Sequence, residues 1–220
     1  MTIEKKLITK TPKLAVYDCG KTKYQPALEM QLNLVEKRIA NEIPNTVLLL
    51  EHYPTITLGA NKNDNKLLQT RQKIAEKNID LVEVRRGGGT TAHNPGQIVI
   101  YPVISLTSLD LGISEYVRQL ETIGIELLNT LSISAQRLKG KPGLWHNEKK
   151  IASIGVKVKK HVTYHGMAIN ISNDLDIFKN IVPCGIKDVR MTSVQNETQT
   201  AIDIANVKQT ISEIVTRLWA

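Results

Sequence analysis

Cysteine is nearly absent from this 220-residue chain, with Cys19 and Cys184 its two thiols. So few thiols argue against a disulfide framework and against a cysteine-rich zinc site, and Cys184 is expected to be a free thiol. Long apolar runs are also missing. Nothing approaches the roughly 18 residues that span a bilayer, and the opening MTIEKKLITKTPK lacks the apolar centre of a signal peptide. A cytoplasmic location is expected, or an organelle matrix after processing, with no membrane partner. Acidic residues are outnumbered, 21 against 29 Lys and Arg, for a formal charge of +8, which favours an acidic partner. Between Arg137 and Lys160 stand eight basic residues and one acid, Glu148. Most such runs are simply solvated faces. Few aromatics accompany this one and no nucleic-acid recognition motif is present, so a nucleic-acid partner is not expected. Several chemical signatures are absent as well. There is no G-x-S-x-G elbow, no Gly-Lys-Ser/Thr phosphate loop and no G-x-G-x-x-G opening a helix.

With 41% hydrophobic residues the chain can bury a substantial core, and residues 1–220 are expected to form one domain. LAVYDCG reads as a strand. Pro26 then opens a helix with Leu28, Leu32, Val35 and Ile39 on one face. TVLLLEH and TITLGAN read as strands, followed by a short helix around residues 67–77. DLVEVRR alternates like a half-buried strand before Gly87-Gly88-Gly89 interrupt it, and QIVIYPVI resumes extended structure. Ser114 can cap a helix over about 115–131, with Val117, Leu120, Leu127 and Leu131 inward. LWHNEKKIASIGVKV suggests two strands joined at Asn147-Glu148, with HVTYHGMAINI pairing beside them. A last amphipathic helix carries Ile204, Val207, Ile211, Val215 and Leu218. Strands outnumber helices and arrive in hairpin-like runs, which points to an α+β fold of mixed sheets packed with helices.

Three places could carry chemistry. In RRGGGTTAHNPGQ (85–97), three consecutive glycines after a strand let backbone amides approach a phosphate or carbonyl oxygen, with Arg85 or Arg86 adding charge. Taken alone, such a turn is more often a tight corner than a ligand cradle. His93 could act as acid, base or positioning group, or be purely structural. His161 and His165 have a spacing that ligates metal on a helix. HVTYH, however, reads as a strand, where positions four apart lie about 13 Å from each other, so no metal site is expected. The third place is IVPCGIKDVRMTS (181–193), where Cys184 sits on a Pro/Gly-framed turn, as an exposed reactive thiol would. A base for it could be Lys150, which opens the apolar strand KIASIGV, because a desolvated ammonium can lose its proton near neutral pH.

Read together, LLLEHYPTITLGAN, RGGGTTAHNPGQIVIYP, GLWH, KKIASIGVKV, VTYHGMAINI and IVPCGI…MTS resemble the lipoyl(octanoyl) transferase family. These segments stand in family order and cover most of residues 47–193. The resemblance implies the biotin/lipoate protein ligase-like fold, also described as class II aminoacyl-tRNA synthetase/biotin synthetase-like. It implies an acyltransferase that moves an octanoyl or lipoyl group from acyl carrier protein to a lysine of apo lipoyl domains, the first step of endogenous protein lipoylation. The acceptors implied are the acyltransferase subunits of 2-oxo-acid dehydrogenases and the glycine cleavage H protein. No cofactor is implied, and ATP is not required.

By the same resemblance Cys184 is the acyl-accepting thiol, and Lys150 lowers its pKa and shuttles protons. The substrate loop is Arg86, Gly87, Gly88, Gly89, Thr90, Thr91, Ala92 and His93. Ser153, Ile154 and Gly155, with Gly166, Met167 and Ala168, complete the acyl site. Where the family usually has T-Y-H-G-P-G-Q, this chain has Thr91-Ala92-His93-Asn94-Pro95-Gly96-Gln97, and loss of the ring at Ala92 is expected to widen one wall of the acyl pocket. RRGGGT also leans towards the ATP-dependent lipoate-protein ligases, the alternative enzyme reading. A basic, non-catalytic module for acidic domains is a third.

Overall fold

The computed structural model describes residues 3–186 and 189–220, apart from the side chain of Cys184. In chain order the strands and helices are β1 (Lys6–Lys10), β2 (Leu14–Thr22), α1 (Tyr24–Ile39), β3 (Asn45–His52), β4 (Thr55–Leu58), α2 (Arg71–Glu76), β5 (Asp80–Glu83) and β6 (Thr91–His93). There follow β7 (Gln97–Val103), α3 (Ile113–Thr130), β8 (Gln136–Leu138), β9 (Lys141–His146), β10 (Lys149–Lys159), β11 (Val162–Asn170), α4 (Val194–Thr198) and α5 (Ile204–Trp219). Among the described residues the strands form an eight-stranded sheet, ordered β1-β2-β3-β7-β11-β10-β9-β8, and a three-stranded sheet, β5-β4-β6. The α+β architecture expected from the sequence is what folds.

The continuous apolar run of β3 has a simple cause, since both faces of the large sheet are covered. Val47 and Leu49 face the core shared with Leu120, Ile123 and Leu127 of α3 and Val207, Ile211 and Val215 of α5. Leu48 and Leu50 face the opposite core, against Ala27, Leu34 and Val35 of α1. Each such side chain contributes about 1.5–3 kcal/mol by leaving water. The small sheet closes a third core with Ile74 of α2 and with Ile177, Phe178 and Ile181.

Two-residue turns set the registers that build the site. Asn147 and Glu148 both have positive φ, 45° and 63°, and join β9 to β10 as the sequence suggested. Lys160 and His161 do the same between β10 and β11. His161 therefore sits exposed in a turn while His165 lies buried within β11. Two expectations are corrected. Helix α3 is capped at Gly112, whose N–H donates to the Glu115 carboxylate at 2.8 Å, and Ser114 lies inside it. Helix α1 buries Tyr24, Ala27, Gln31, Leu34 and Val35 and leaves Leu32 exposed. The polar Gln31 in mid-stripe hid that face, and its carbonyl accepts from the His165 N–H at 2.7 Å.

Candidate active site

The glycine-rich stretch after β5 is pinned on both sides. Its Gly87 N–H donates to Val156 O of β10 at 2.9 Å, and Ala60 and Asn61 donate to the Arg86 and Gly88 carbonyls. A Cβ on Gly155 would stand 2.8 Å from Gly87 O, so β10 lets the loop lie on it only because residue 155 has no side chain. Arg86 is buried beneath, its guanidinium donating to Thr57 Oγ1 (2.7 Å), Thr57 O (3.2 Å) and Gly87 O (3.0 Å).

Loop, β10 and β11 enclose a cavity of about 210 Å³. Of the residues expected to contact substrate, Arg86, Gly88, Thr91, His93, Ser153, Ile154, Gly155, Gly166, Met167 and Ala168 line it. Gly87, Gly89, Thr90 and Ala92 do not. Gly89 packs on Asp64, and the Thr90 hydroxyl accepts from the Lys66 N–H at 3.0 Å, so these two tie the loop to the 61–66 segment. Ala92 is a correction with a plain cause. Successive side chains of a strand point to opposite faces. Thr91 and His93 of β6 face the cavity, and Ala92 faces the small core with Ile56, Ile177 and Phe178.

Sequence reasoning missed the far end of the cavity, where Tyr24, Tyr101 and His165 meet His93, with His52 behind them. The ring centroids of Tyr24 lie 4.9 Å from His52 and 5.7 Å from His93. Burial pushes His52 down to about 4, and burial with the Arg86 cation pushes His165 down to about 3. His93 lies well below its ordinary value, through burial and then its neighbour His52. All three imidazoles are therefore neutral at pH 7. His52 Nδ1 donates to Thr22 O at 3.0 Å, and Nε2 accepts from the Tyr101 hydroxyl at 2.9 Å.

A chain of amides orients His93. Asn170 Nδ2 donates to Thr192 O (2.9 Å), Gln97 Nε2 to Asn170 Oδ1 (2.9 Å), and His93 Nδ1 to Gln97 Oε1 (2.8 Å). Thr192 O can only accept, so it fixes the direction of every bond in the chain. No strand-period signal marks Tyr24, and in the sequence His52 reads only as the end of an apolar strand.

At the other end stands Lys150, wholly buried on β10. Its Nζ donates to Pro142 O at 2.8 Å and lies 5.4 Å from the centroid of the Trp145 ring, a carbonyl and a π face that both suit a cation. Its backbone is held from both sides, by Lys150 N–H to Arg190 O at 2.8 Å and Thr192 N–H to Lys150 O at 2.9 Å. That pairing sets the 190–192 segment alongside β10.

The backbone of Cys184 occupies a single 3-10 turn, Pro183–Gly185, closed by the Ile186 N–H on Pro183 O at 3.1 Å. Gly185 has φ +69°, and a Cβ there would meet Asp64 Oδ1 at 2.7 Å. Ile186 and Asp64 line the cavity, so the turn borders it. The thiol itself, expected to be the acyl acceptor, lies outside the described residues.

Residues 23–216 match the lipoyl protein ligase A/B catalytic domain. The chain belongs to that family. It is similar to the octanoyltransferase of Koribacter versatilis, 39% identical over 204 residues that cover 90% of this chain and 81% of the relative. In fold it is similar to a bipartite lipoate protein ligase of Thermoplasma acidophilum, with TM-score 0.70 and 16% identity over 94% of this chain and 82% of the other. The biotin protein ligase of Aquifex aeolicus shares the fold at TM-score 0.53 and 15% identity, over 92% and 67%. The protein is thus an acyltransferase of the lipoyl protein ligase A/B family, as the ordered motifs implied.

Within that family fold, the second thiol has an evident limit. Cys19 is buried between β2 and α1, and burial together with Asp18 pushes it up to about 12. Such a thiol is essentially never a thiolate at pH 7. Among the described residues no group of His, Cys, Asp and Glu could hold a metal, and no helix is long and apolar enough to cross a membrane.

Proposed function

We propose that the protein transfers an octanoyl or lipoyl group from acyl carrier protein to a specific lysine of apo lipoyl domains, through a thioester on Cys184. Residues 1–220 act in this reading as one catalytic domain, working in the cytoplasm or an organelle matrix. The observation that carries it is Lys150, a wholly buried lysine on the strand that also lines the cavity, beside the segment that leads back to the Cys184 turn. The octanoyltransferase names of the relatives supply the acyl group.

The chemistry follows from those parts. Lys150 takes the Cys184 proton, the thiolate attacks the donor thioester carbonyl, and the carrier leaves as its thiol by taking that proton from Lys150. The acyl chain lies in the cavity, with Met167 and Ala168 against it. The acceptor amine then attacks the enzyme thioester, gives a proton to Lys150 and forms the amide, and the Cys184 thiolate leaves and regains its proton from Lys150. Donor and intermediate are already activated esters of sulfur, so the sequence needs no nucleotide.

Incubation with octanoyl-carrier protein alone should leave one hydroxylamine-labile octanoyl group on Cys184, found by intact mass and peptide mapping. An apo lipoyl domain should discharge it onto one lysine without ATP, and Cys184→Ser should do neither. Efficient transfer with no trappable adduct, or transfer that requires ATP and free lipoate, would replace this mechanism by direct attack or by the ligase reading.

A further inference from the structure

The turn that carries Cys184 separates two depressions. Ile186 lines the acyl cavity, whereas Pro183 lines an open groove of about 690 Å³ that shares no lining residue with the cavity. Strand β10 divides in the same way. Lys150 turns its Nζ to Pro142 at the cavity, and its neighbour Lys149 lines the groove. A thioester whose acyl chain fills the cavity, with its carbonyl at the turn, therefore leaves the cavity towards this groove.

Resting on the acyl-carrier reading above, we propose that the groove binds the phosphopantetheine arm of the donor, with Lys179 and Arg190 receiving its phosphodiester. The floor is apolar, built from Phe178, Ile181 and Met191, and suits the methylenes and dimethyl carbon of such an arm. Three cations, Lys149, Lys179 and Arg190, line the groove against two carboxylates, Asp176 and Glu197. Both carboxylates are engaged, Glu197 by Lys149 at 2.8 Å and Asp176 by Lys179 at 2.6 Å. Arg190 is exposed and forms no ion pair among the described residues. The balance of charge favours an anionic occupant over the ammonium of an acceptor lysine.

The test compares octanoyl thioesters of increasing completeness, namely N-acetylcysteamine, pantetheine, phosphopantetheine and the carrier protein, by the rate of Cys184 acylation. Wild type should use the phosphopantetheine ester about five- to tenfold more efficiently than the pantetheine ester, the size of one exposed, charge-assisted phosphate contact. A Lys179→Glu, Arg190→Glu double variant should lose that preference and keep its rate with the N-acetylcysteamine ester, and a Gln pair should fall between. A wild type indifferent to the phosphate would overturn the proposal. So would a preference that survives in the double variant, an equal loss with every donor, or a change confined to the KM of the lipoyl domain. Absence of any Cys184 adduct from all four donors would instead overturn the mechanism on which it rests.

Discussion

The two ends of the cavity are both buried and both basic in composition, yet their basic groups meet different partners. At one end Lys150 meets electron-rich partners, the Pro142 carbonyl and the Trp145 ring. At the other, burial first of all holds His52, His93 and His165 neutral, with His52 adding to it at His93 and the Arg86 guanidinium at His93 and His165. Burial lowers the affinity of each imidazole for a proton, and among the described residues no carboxylate stands among their partners to restore it. In the proposed mechanism the Lys150 end moves a proton beside the reacting atoms, and the histidine end offers rings and fixed hydrogen bonds as a wall.

The largest effect should come from the Lys150 end. Arginine keeps a positive charge but cannot give up its proton in a protein. Lys150→Arg should cut steady-state transfer by about 10²-fold or more, the usual scale of general acid–base catalysis, while Cys184 still reacts slowly with an alkylating agent. Lys150→Met, with a similar stem and no charge, should lose both. An arginine variant as fast as wild type would reduce Lys150 to a fixed charge and erase the contrast between the ends.

The histidine end should show itself in stability. Each imidazole is neutral in the fold and has its pKa depressed, so its contribution is complete above the unfolded value near 6.5 and shrinks as pH falls towards the folded value. For His52 that window runs from about 6.5 to about 4, with a loss on the order of 2–3 kcal/mol. Urea unfolding at pH 7.5, 6 and 5 should reveal the slope, and His52→Gln should flatten it. A slope unchanged by that substitution would place the acid sensitivity elsewhere.

The boundary of the same end can be sharpened at residue 92. Ala92 packs into the small core, so Ala92→Tyr should overfill it and cost about 1–3 kcal/mol, seen as a lower Tm, with acyl chain-length preference unchanged. A shift towards shorter chains would return Ala92 to the cavity wall. The smallest effect is expected at Cys19, outside both ends. Cys19→Ser should leave turnover and the Cys184 adduct at wild-type levels.

Elements governed by short-range rules are legible in the sequence. The hairpin at Asn147-Glu148 follows from a polar pair between two apolar runs, its Asn147 suited to positive φ, and the last helix from the apolar period of Ile204, Val207, Ile211 and Val215. The buried face of α1 is not, because Gln31 is polar and its reason to be inside, the His165 N–H, comes from a strand 134 residues away. The orientation of Ala92 was missed for a related reason. The motif places the residue in the loop, but only the pairing of β6 with β4 decides which face each side chain takes.

By itself the sequence determined the family, through six motifs in order, and with it the α+β fold, the glycine-rich loop and the Lys150 strand as parts of one site. The tertiary structure decided which loop residues reach the cavity and which only brace it. It also decided that Tyr24, His52, Tyr101 and His165, scattered over four elements, close one end together. The reason is physical. Motif order and periodicity report on neighbours along the chain, whereas cavity walls and the burial that keeps a histidine neutral are assembled from segments far apart in it.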